Sequence, residues 1–152
     1  MLKRNFILGR LTCNTNSLPT LGKGTYLLIL YLSSIREIRI GKLGVVVFRK
    51  GYYVYIGSAF GPGGLTARLR HHLRISPHPH WHIDYLRQYA SVQAIRVCED
   101  PSTLEHQWAD CLKTMEGAII PAPGFGSSDC TCETHLFYFR RKMDLFGPGR
   151  RL

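Results

Sequence analysis

Two tyrosines, an arginine and a histidine in the first half of the chain have the chemical types that phosphodiester hydrolysis requires. Tyr26 and Tyr55 lie in short apolar runs that begin or end at glycine, and Arg68 and His72 follow, four positions apart. Residues four apart share one face of an α-helix, so these two side chains should project together. Hydrolysis needs an aligned water, an acceptor for its proton and positive charge at the transition state. A tyrosine, whose ordinary pKa is about 10, becomes a useful base only beside cations.

More polar and basic side chains flank this set and favour a surface that binds phosphate or DNA. Ser58 directly follows the Tyr-Ile-Gly segment, and Arg70, His71 and Arg74 lie on the helix that is predicted next. Ordinary structural roles fit the same region, because tyrosine is common in strands and a basic helix face is often only solvated.

Positive charge is concentrated in the first half of the chain. Lys and Arg outnumber Asp and Glu by 12 to 1 over residues 1–76, whereas residues 77–152 carry 8 basic and 9 acidic side chains. Such a stripe attracts polyanions, so we expect a nucleic-acid partner. A basic surface that only maintains solubility is the alternative that composition leaves open.

Length and composition favour one domain that is soluble. A chain of 152 residues, 45% of them hydrophobic, can bury a single core. The longest apolar run, residues 27–32, is too short to cross a bilayer, and Arg10 interrupts the N-terminal apolar stretch, so we expect a cytoplasmic protein. Five cysteines without a regular framework favour reduced thiols or a metal site over disulfides.

The elements that must position these residues predict an α+β fold, with a small, mostly antiparallel sheet flanked by helices. Residues 24–57 have the pattern of an antiparallel meander of three strands. Alternation in its last strand places Tyr53 and Tyr55 on one face and Tyr52 on the other, without choosing between them as site residues. We expect an N-terminal extension (1–20), one main domain (21–139) and a basic C-terminal tail (140–152).

Apolar periodicity after the sheet predicts helices over about residues 65–75 and from about Trp81 onward. A strand is expected at residues 91–98, then a helix over 101–115 with Ser102 as its N-cap, and a last strand at 135–139. Leu65, Leu69 and Leu73 form the core stripe of the first helix.

A Cys/His cluster lies near the C-terminus, where Cys130, Cys132 and His135 fall within six residues. Zinc takes four ligands, commonly with a C-x-x-C spacing, so the C-x-C spacing and the lack of a local fourth ligand make Zn²⁺ the less favoured cofactor. A tight turn followed by a strand with a buried cysteine is the structural alternative.

The order of motifs resembles the GIY-YIG nuclease superfamily: Gly-Thr-Tyr at 24–26, Tyr-Ile-Gly at 55–57, an Arg and a His on the next helix, and a later helical Glu. Within it, WHIDYL and GFGSSDCTCETHLF are similar to the DUF123 or Uri-type endonuclease family. The resemblance covers residues 21–139 and departs at two points. Tyr26 and Tyr55 stand 29 positions apart, which implies an extra strand or loop. Ser58 stands where many members have Lys, so Arg70, His71 or His72 would have to supply that charge.

The resemblance implies a metal-dependent endonuclease that acts on DNA, in repair or recombination. Tyr26 would be the general base, Tyr55 would position water or phosphate, Arg68 would contact the scissile phosphate and His72 would assist. Glu105 would hold a single Mg²⁺ or Mn²⁺.

Glu105 also has a structural alternative. Residues 102–105 have the S-x-x-E form of a capping box, in which the carboxylate bonds back to the backbone and needs no metal. Glu99 is the second candidate ligand.

The family pattern also suggests that Gly-Ser-Ser-Asp closes over the active site. Ser127, Ser128 or Asp129 would then orient phosphate or coordinated water, with His82 and Asp84 in the same site. Two other function classes stay open: a nucleic-acid-binding module without cleavage, and a zinc-stabilised interaction domain.

Overall fold

The computed structural model describes the backbone of residues 4–8 and both backbone and side chains of residues 18–142. Seven strands and three α-helices lie in this part of the chain. In order they are β1 (Arg4–Leu8), β2 (Gly24–Leu32), β3 (Arg36–Arg39), β4 (Val45–Phe48), β5 (Gly51–Ala59), α1 (Gly64–Leu73), α2 (His82–Arg87), β6 (Ser91–Glu99), α3 (Glu105–Lys113) and β7 (Leu136–Phe139). The α+β class is confirmed.

The main sheet is antiparallel and has the strand order β1-β6-β2-β5-β7. β2 is buried on both faces, as its near-continuous apolar sequence predicts. Alternation divides its side chains: Leu28 and Leu30 pack in a core with α1 and α2, whereas Leu27 and Ile29 pack in a second core under α3. The sheet therefore stands between two layers of helix, and the extended lead-in expected for residues 1–20 contributes a strand at its edge.

The meander predicted for residues 24–57 is wrong in its middle. β2 pairs directly with β5 along nine residues, and β3 and β4 form a separate two-stranded ribbon. β6 pairs with the other edge of β2, so no edge of β2 is left for a middle strand. This ribbon is the extra structure expected between Tyr26 and Tyr55.

The helix predicted over about residues 65–75 is confirmed as α1, which ends two residues earlier than predicted, at Leu73. Leu65 and Leu69 are fully buried and Leu73 is half-buried, which matches the expected stripe. The predicted strand at 91–98 and the last strand also form, as β6 and β7.

The predicted N-cap of α3 at Ser102 is wrong, since the helix begins at Glu105 with Leu104 as N-cap. The carboxylate of Asp100 accepts the backbone N–H of Ser102 at 2.8 Å, and the hydroxyl of Thr25 accepts that of Leu104 at 3.1 Å. These bonds keep the segment before Glu105 out of helical conformation. The capping box is absent, because α3 has no side-chain cap.

A loop without helix or regular strand, residues 121–135, returns the chain to β7. Its ends are joined by backbone hydrogen bonds from Gly124 to Glu133 (2.7 Å) and from His135 to Phe125 (2.8 Å). The carbonyl of His135 accepts the N–H of Ile56 at 2.9 Å, which ties the loop to β5. The loop therefore lies beside the strand that carries Tyr55.

None of the helices in the described part of the chain is long and apolar enough to cross a membrane. Cys98, Cys111, Cys130 and Cys132 are free thiols, and Cys13 lies outside the described residues. The proposed tail at 140–152 also lies outside them beyond Lys142.

Candidate active site

A cleft of about 500 Å³ opens where β2, β5, α1, the start of α3 and the 121–135 loop meet. It brings together residues that the sequence separates by more than 100 positions. Its walls are Tyr26, Tyr55, Ile56, Gly57, Ser58, Phe60, Arg68, Trp81, Thr103, Glu105, His106, Gly126, Asp129, Cys130 and His135.

The strand register explains the glycine of the Tyr-Ile-Gly segment. Tyr26 on β2 pairs with Gly57 on β5. A Cβ at Gly57 would lie 2.2 Å from the Tyr26 hydroxyl oxygen, a distance that real atoms do not tolerate. Glycine therefore lets the Tyr26 ring lie flat across β5 and reach the cleft wall.

The Tyr26 hydroxyl lies beside an imidazole and a guanidinium. Its oxygen is 2.6 Å from His72 Nε2, and the charge of the nearby Arg68 guanidinium acts on its pKa. The phenol donates its hydrogen to His72 Nε2 when that ring nitrogen is the unprotonated one. Burial raises the pKa of Tyr26 well above its ordinary value, and Tyr55 and Glu105 raise it further, against the opposing charge of Arg68. Tyr26 is therefore a phenol, not the phenolate that cations beside it were expected to favour.

His72 stands behind Tyr26 in the core and not on the wall of the cleft. Its side chain is 1% exposed, and its Nδ1 has no hydrogen-bond partner among the described residues. Burial lowers the pKa of His72 to about 3, and the charge of His71 adds to this, against Asp84. The ring is neutral at physiological pH, which agrees with Nε2 as an acceptor.

Arg68 is the one arginine or lysine on the cleft wall among residues 18–142. Its guanidinium lies 4.3 Å from the centre of the Trp81 ring, a cation–π contact that fixes its direction. The sequence alone did not predict this stacking role of Trp81. Arg70 on α1 and Arg74 at its C-cap are exposed outside the cleft, and His71 pairs with Asp84.

Tyr55 and Ser58 both lie on β5 and line the cleft, and Tyr55 is on the same face of the sheet as Tyr26. The two tyrosine rings are 6.4 Å apart, and burial together with the Glu105 charge raises the pKa of Tyr55. Tyr53 faces the same core, but its hydroxyl donates to the Arg49 carbonyl, and Tyr52 contacts Tyr31 on the opposite face. The alternation predicted for the three tyrosines is confirmed, and the structure places only Tyr55 of these three on the cleft wall.

Glu105 faces the cleft from the first residue of α3. Its carboxylate is 18% exposed and lies 4.0 Å from His135 Nδ1, and burial lowers the pKa of that histidine. The carboxylate is thus free of a capping bond and of a strong cationic partner, and Asp129 lies on the same cleft wall. Mg²⁺ commonly binds one or two carboxylates and keeps its remaining waters, so this donor set fits it. Glu99 instead accepts the Gly22 N–H at 2.5 Å and does not line the cleft.

A family comparison covers this whole site. The model of the family described as "Domain of unknown function DUF123" matches residues 25–147. The chain belongs to the DUF123 family. Comparisons with curated proteins and with solved structures found no match. Every residue on the cleft wall lies within the part matched by the DUF123 model.

His82 and Asp84, which were expected in the site, make hydrogen bonds that hold the loop and the helices beside the cleft. The Nδ1 of His82 accepts the N–H of Gly126 at 2.9 Å, which pins the loop to α2. Asp84 is buried, which alone would raise its pKa. The N–H groups of His80 (2.9 Å) and Trp81 (3.0 Å) and the ring of His71 (2.8 Å) outweigh burial and lower the pKa of Asp84. Asp84 therefore caps α2 and holds α1 against it.

The Gly-Ser-Ser-Asp segment reaches the cleft only in part. Gly126 and Asp129 line the cleft, whereas Ser128 is exposed elsewhere. Ser127 is 5% exposed, and its hydroxyl has no hydrogen-bond partner among the described residues.

The Cys/His cluster lies at the far end of the same cleft and includes a residue that the sequence analysis missed. His106 Nδ1 is 2.9 Å from the sulfur of Cys132, and Cys130 Sγ is 3.3 Å from His135 Nε2. His106 stands next to Glu105 in sequence, but 24 residues separate it from Cys130, so local spacing carried no signal for it.

Proposed function

We propose that this chain is a metal-dependent endonuclease of the GIY-YIG type that hydrolyses phosphodiester bonds in DNA. The observation that carries the proposal is the Tyr26–His72 hydrogen bond beside the Arg68 guanidinium, on a cleft that Glu105 also lines. It joins a proton acceptor, a fixed cation and a cleft-facing carboxylate, the three functions that this hydrolysis needs.

Tyr26 acts as the proton acceptor without first becoming a phenolate. Because its hydrogen is donated to His72 Nε2, the lone pairs of its oxygen are directed away from His72. As Tyr26 takes a proton from an attacking water, its own hydrogen passes along the 2.6 Å bond to His72 Nε2. This transfer avoids a buried phenolate and places the charge on His72, whose protonation burial also disfavours.

Arg68 supplies the positive charge. Stacking on Trp81 orients the guanidinium before substrate arrives, so little reorganisation is needed when charge develops on the phosphate. Tyr55 and Ser58, on the adjacent strand, also line the cleft, and we assign them contacts to phosphate oxygens or the attacking water.

Glu105, with Asp129 nearby on the cleft wall, would hold a divalent cation. When bound, Mg²⁺ or Mn²⁺ polarises the phosphate and stabilises the leaving oxygen. The carboxylate of Glu105 lies on the first turn of α3, and a helix gives a more exact placement than a loop.

Nucleic acid is the proposed substrate class because of the charge distribution, and the GIY-YIG resemblance favours DNA. The basic first half of the chain includes Arg70 on α1 and Arg74 at its C-cap, both exposed and close in sequence to Arg68. These side chains can contact backbone phosphates outside the cleft, and such binding weakens steeply with salt.

A nuclease assay with a carboxylate variant tests the proposal. Wild type is incubated with branched, flapped and single-stranded DNA, in Mg²⁺, Mn²⁺ or EDTA. We expect cleavage of at least one substrate that is abolished by EDTA, lost in Glu105→Gln and retained in Glu116→Gln, an exposed carboxylate outside the cleft. Absence of cleavage with every substrate and metal, by protein that binds DNA, would overturn it.

One observation favours a second candidate, a DNA-binding module without cleavage. Ser58 stands where many GIY-YIG members have Lys, and neither Arg70 nor His71 lines the cleft to replace that charge. Arg68 must then stabilise the transition state alone. Salt-sensitive DNA binding without metal-dependent cleavage is the result that distinguishes this candidate.

A further inference from the structure

Three donor atoms from two separate elements converge at the end of the cleft. The Nδ1 of His106, on α3, and the sulfurs of Cys130 and Cys132, in the 121–135 loop, all lie within 4.8 Å of one another. A fourth donor, the Nε2 of His135, lies 3.3 Å from the sulfur of Cys130. The set is two thiols and two imidazoles.

We propose that His106, Cys130, Cys132 and His135 bind a zinc ion. Zinc prefers tetrahedral sites of cysteine and histidine, with bonds of about 2.3 Å to sulfur and about 2.0 Å to nitrogen. Ligand atoms of one such tetrahedron are separated by roughly 3.3 to 3.8 Å on the same bond lengths. The contacts of 2.9 Å between His106 and Cys132 and of 3.3 Å between Cys130 and His135 are close to that spacing, and the His135 ring must move toward the other three donors to complete the tetrahedron.

The donor chemistry separates this site from the carboxylate site beside it. Thiolate and imidazole select zinc, whereas Glu105 offers the oxygen ligand that magnesium prefers. The proposal therefore adds a second metal of a different class, and it does not depend on whether the protein cleaves DNA.

A second group of donors in the fold does not carry the same inference. His71, His72 and Asp84 also lie within 4.8 Å of one another. Asp84 already bonds His71 and two backbone N–H groups, and His72 already bonds Tyr26. Hydrogen bonds within the fold thus already engage both carboxylate oxygens of Asp84 and one nitrogen of each histidine.

A zinc ion at the proposed site would join the 121–135 loop to α3. The loop has no helix or regular strand of its own, and His106 immediately follows Glu105 in the chain. The metal would therefore hold the loop closed and fix the first turn of α3, the role of a structural zinc.

Metal analysis of the full chain tests the proposal. We expect about one zinc per chain in protein purified without chelator, and the same in Cys111→Ser, an exposed thiol on α3 outside the cluster. Cys130→Ser, Cys132→Ser and His106→Ala should each lose most of the zinc. Wild-type protein that neither carries zinc nor takes it up when Zn²⁺ is supplied would overturn the proposal, as would variants that retain the full content.

Cobalt substitution keeps the test decisive if the variants fail to fold. Co²⁺ titrated into chelator-treated wild type should give the strong absorption of tetrahedral cobalt with thiolate ligands, saturating at about one ion per chain. A weak octahedral spectrum, or a Cys130–Cys132 disulfide in protein purified under air without reductant, would contradict the assignment.

Discussion

The two walls of the cleft are built in different ways. One wall carries Tyr26 on β2, with His72 on α1 directly behind it, and both residues belong to the core and are 1% exposed. On the other wall, Glu105 begins a short helix, and Asp129 and Cys130 lie in a loop. The proton-accepting side is therefore fixed by packing, whereas the metal-binding side depends on a few hydrogen bonds and, we propose, on zinc.

The largest effect on the core wall should come from removing its cation. Arg68→Ala is expected to lower the single-turnover rate of DNA cleavage by roughly 100- to 1000-fold, because no other arginine or lysine on the described cleft wall replaces its charge. Arg68→Lys keeps the positive charge but loses the paired N–H donors of the guanidinium and its stacking on Trp81. It should therefore cleave faster than Arg68→Ala but more slowly than wild type. Equal rates for the alanine variant and wild type would contradict the role given to Arg68.

Replacing a glycine that packs against Tyr26 should have the next largest effect on the core wall, as a loss of stability. Gly57→Ala places a methyl group against the Tyr26 hydroxyl, and we expect a loss of about 1–3 kcal/mol in the free energy of unfolding. Gly61→Ala is the matched control, since a Cβ there meets nothing within 4 Å, and it should change stability by less than about 0.5 kcal/mol. Urea unfolding measures both, and similar stabilities for the two variants would refute the packing argument.

Acid should also destabilise the core wall through His72. Its folded-state pKa of about 3 lies below the ordinary 6.5, so only the unfolded chain binds this proton as the pH falls from 6.5. The folded state therefore loses stability with falling pH, by about 2 kcal/mol at pH 5. His72→Gln removes this titration, although His71, Asp84, Arg68 and Arg87 still surround the position.

Urea midpoints at neutral pH and near pH 5 measure this contribution. The midpoint of His72→Gln should fall less between the two values than that of wild type. An equal fall in the two proteins would show that His72 is already solvated or charged in the folded state.

The smallest effect is expected on the loop wall. His82→Ala removes the acceptor of the Gly126 N–H and should cost about 1 kcal/mol. The loss should be local, with faster hydrogen exchange in the 121–135 loop and unchanged exchange in β2. Lys113→Ala, which breaks an exposed ion pair to Glu133 at the base of the same loop, is the control and should leave loop exchange nearly unchanged. Faster exchange throughout the sheet would contradict the separation of the two walls.

The sequence predicts the core wall better than the loop wall for a physical reason. Period-two alternation placed Tyr55, and the spacing of leucines placed α1, because both patterns are set by burial of one face. The ribbon β3–β4 was missed because alternation does not reveal which sheet a strand joins. Arg68 and His72 share a helix face, but only the packing of α1 sends one to the cleft and the other into the core.

The loop wall depended on contacts between residues far apart in the chain. The predicted start of α3 was wrong because the hydroxyl of Thr25, 79 residues away in the chain, accepts a hydrogen bond from the N–H of Leu104. His106 was missed because its partner Cys132 is 26 residues away and has no spacing signature. Helix and strand propensities describe only local preferences, whereas these contacts form only when the chain adopts its tertiary fold.

The central claim is that the Tyr26 hydroxyl, bonded to His72, accepts the proton of the attacking water. The most direct test compares single-turnover cleavage of a labelled branched DNA in Mg²⁺ by wild type, Tyr26→Phe and Tyr52→Phe, which removes a hydroxyl from the opposite face of the sheet. The account predicts that Tyr26→Phe binds the DNA with near wild-type affinity but cuts it at least ~100-fold more slowly, while Tyr52→Phe cuts at the wild-type rate. Wild-type cleavage by Tyr26→Phe would contradict it.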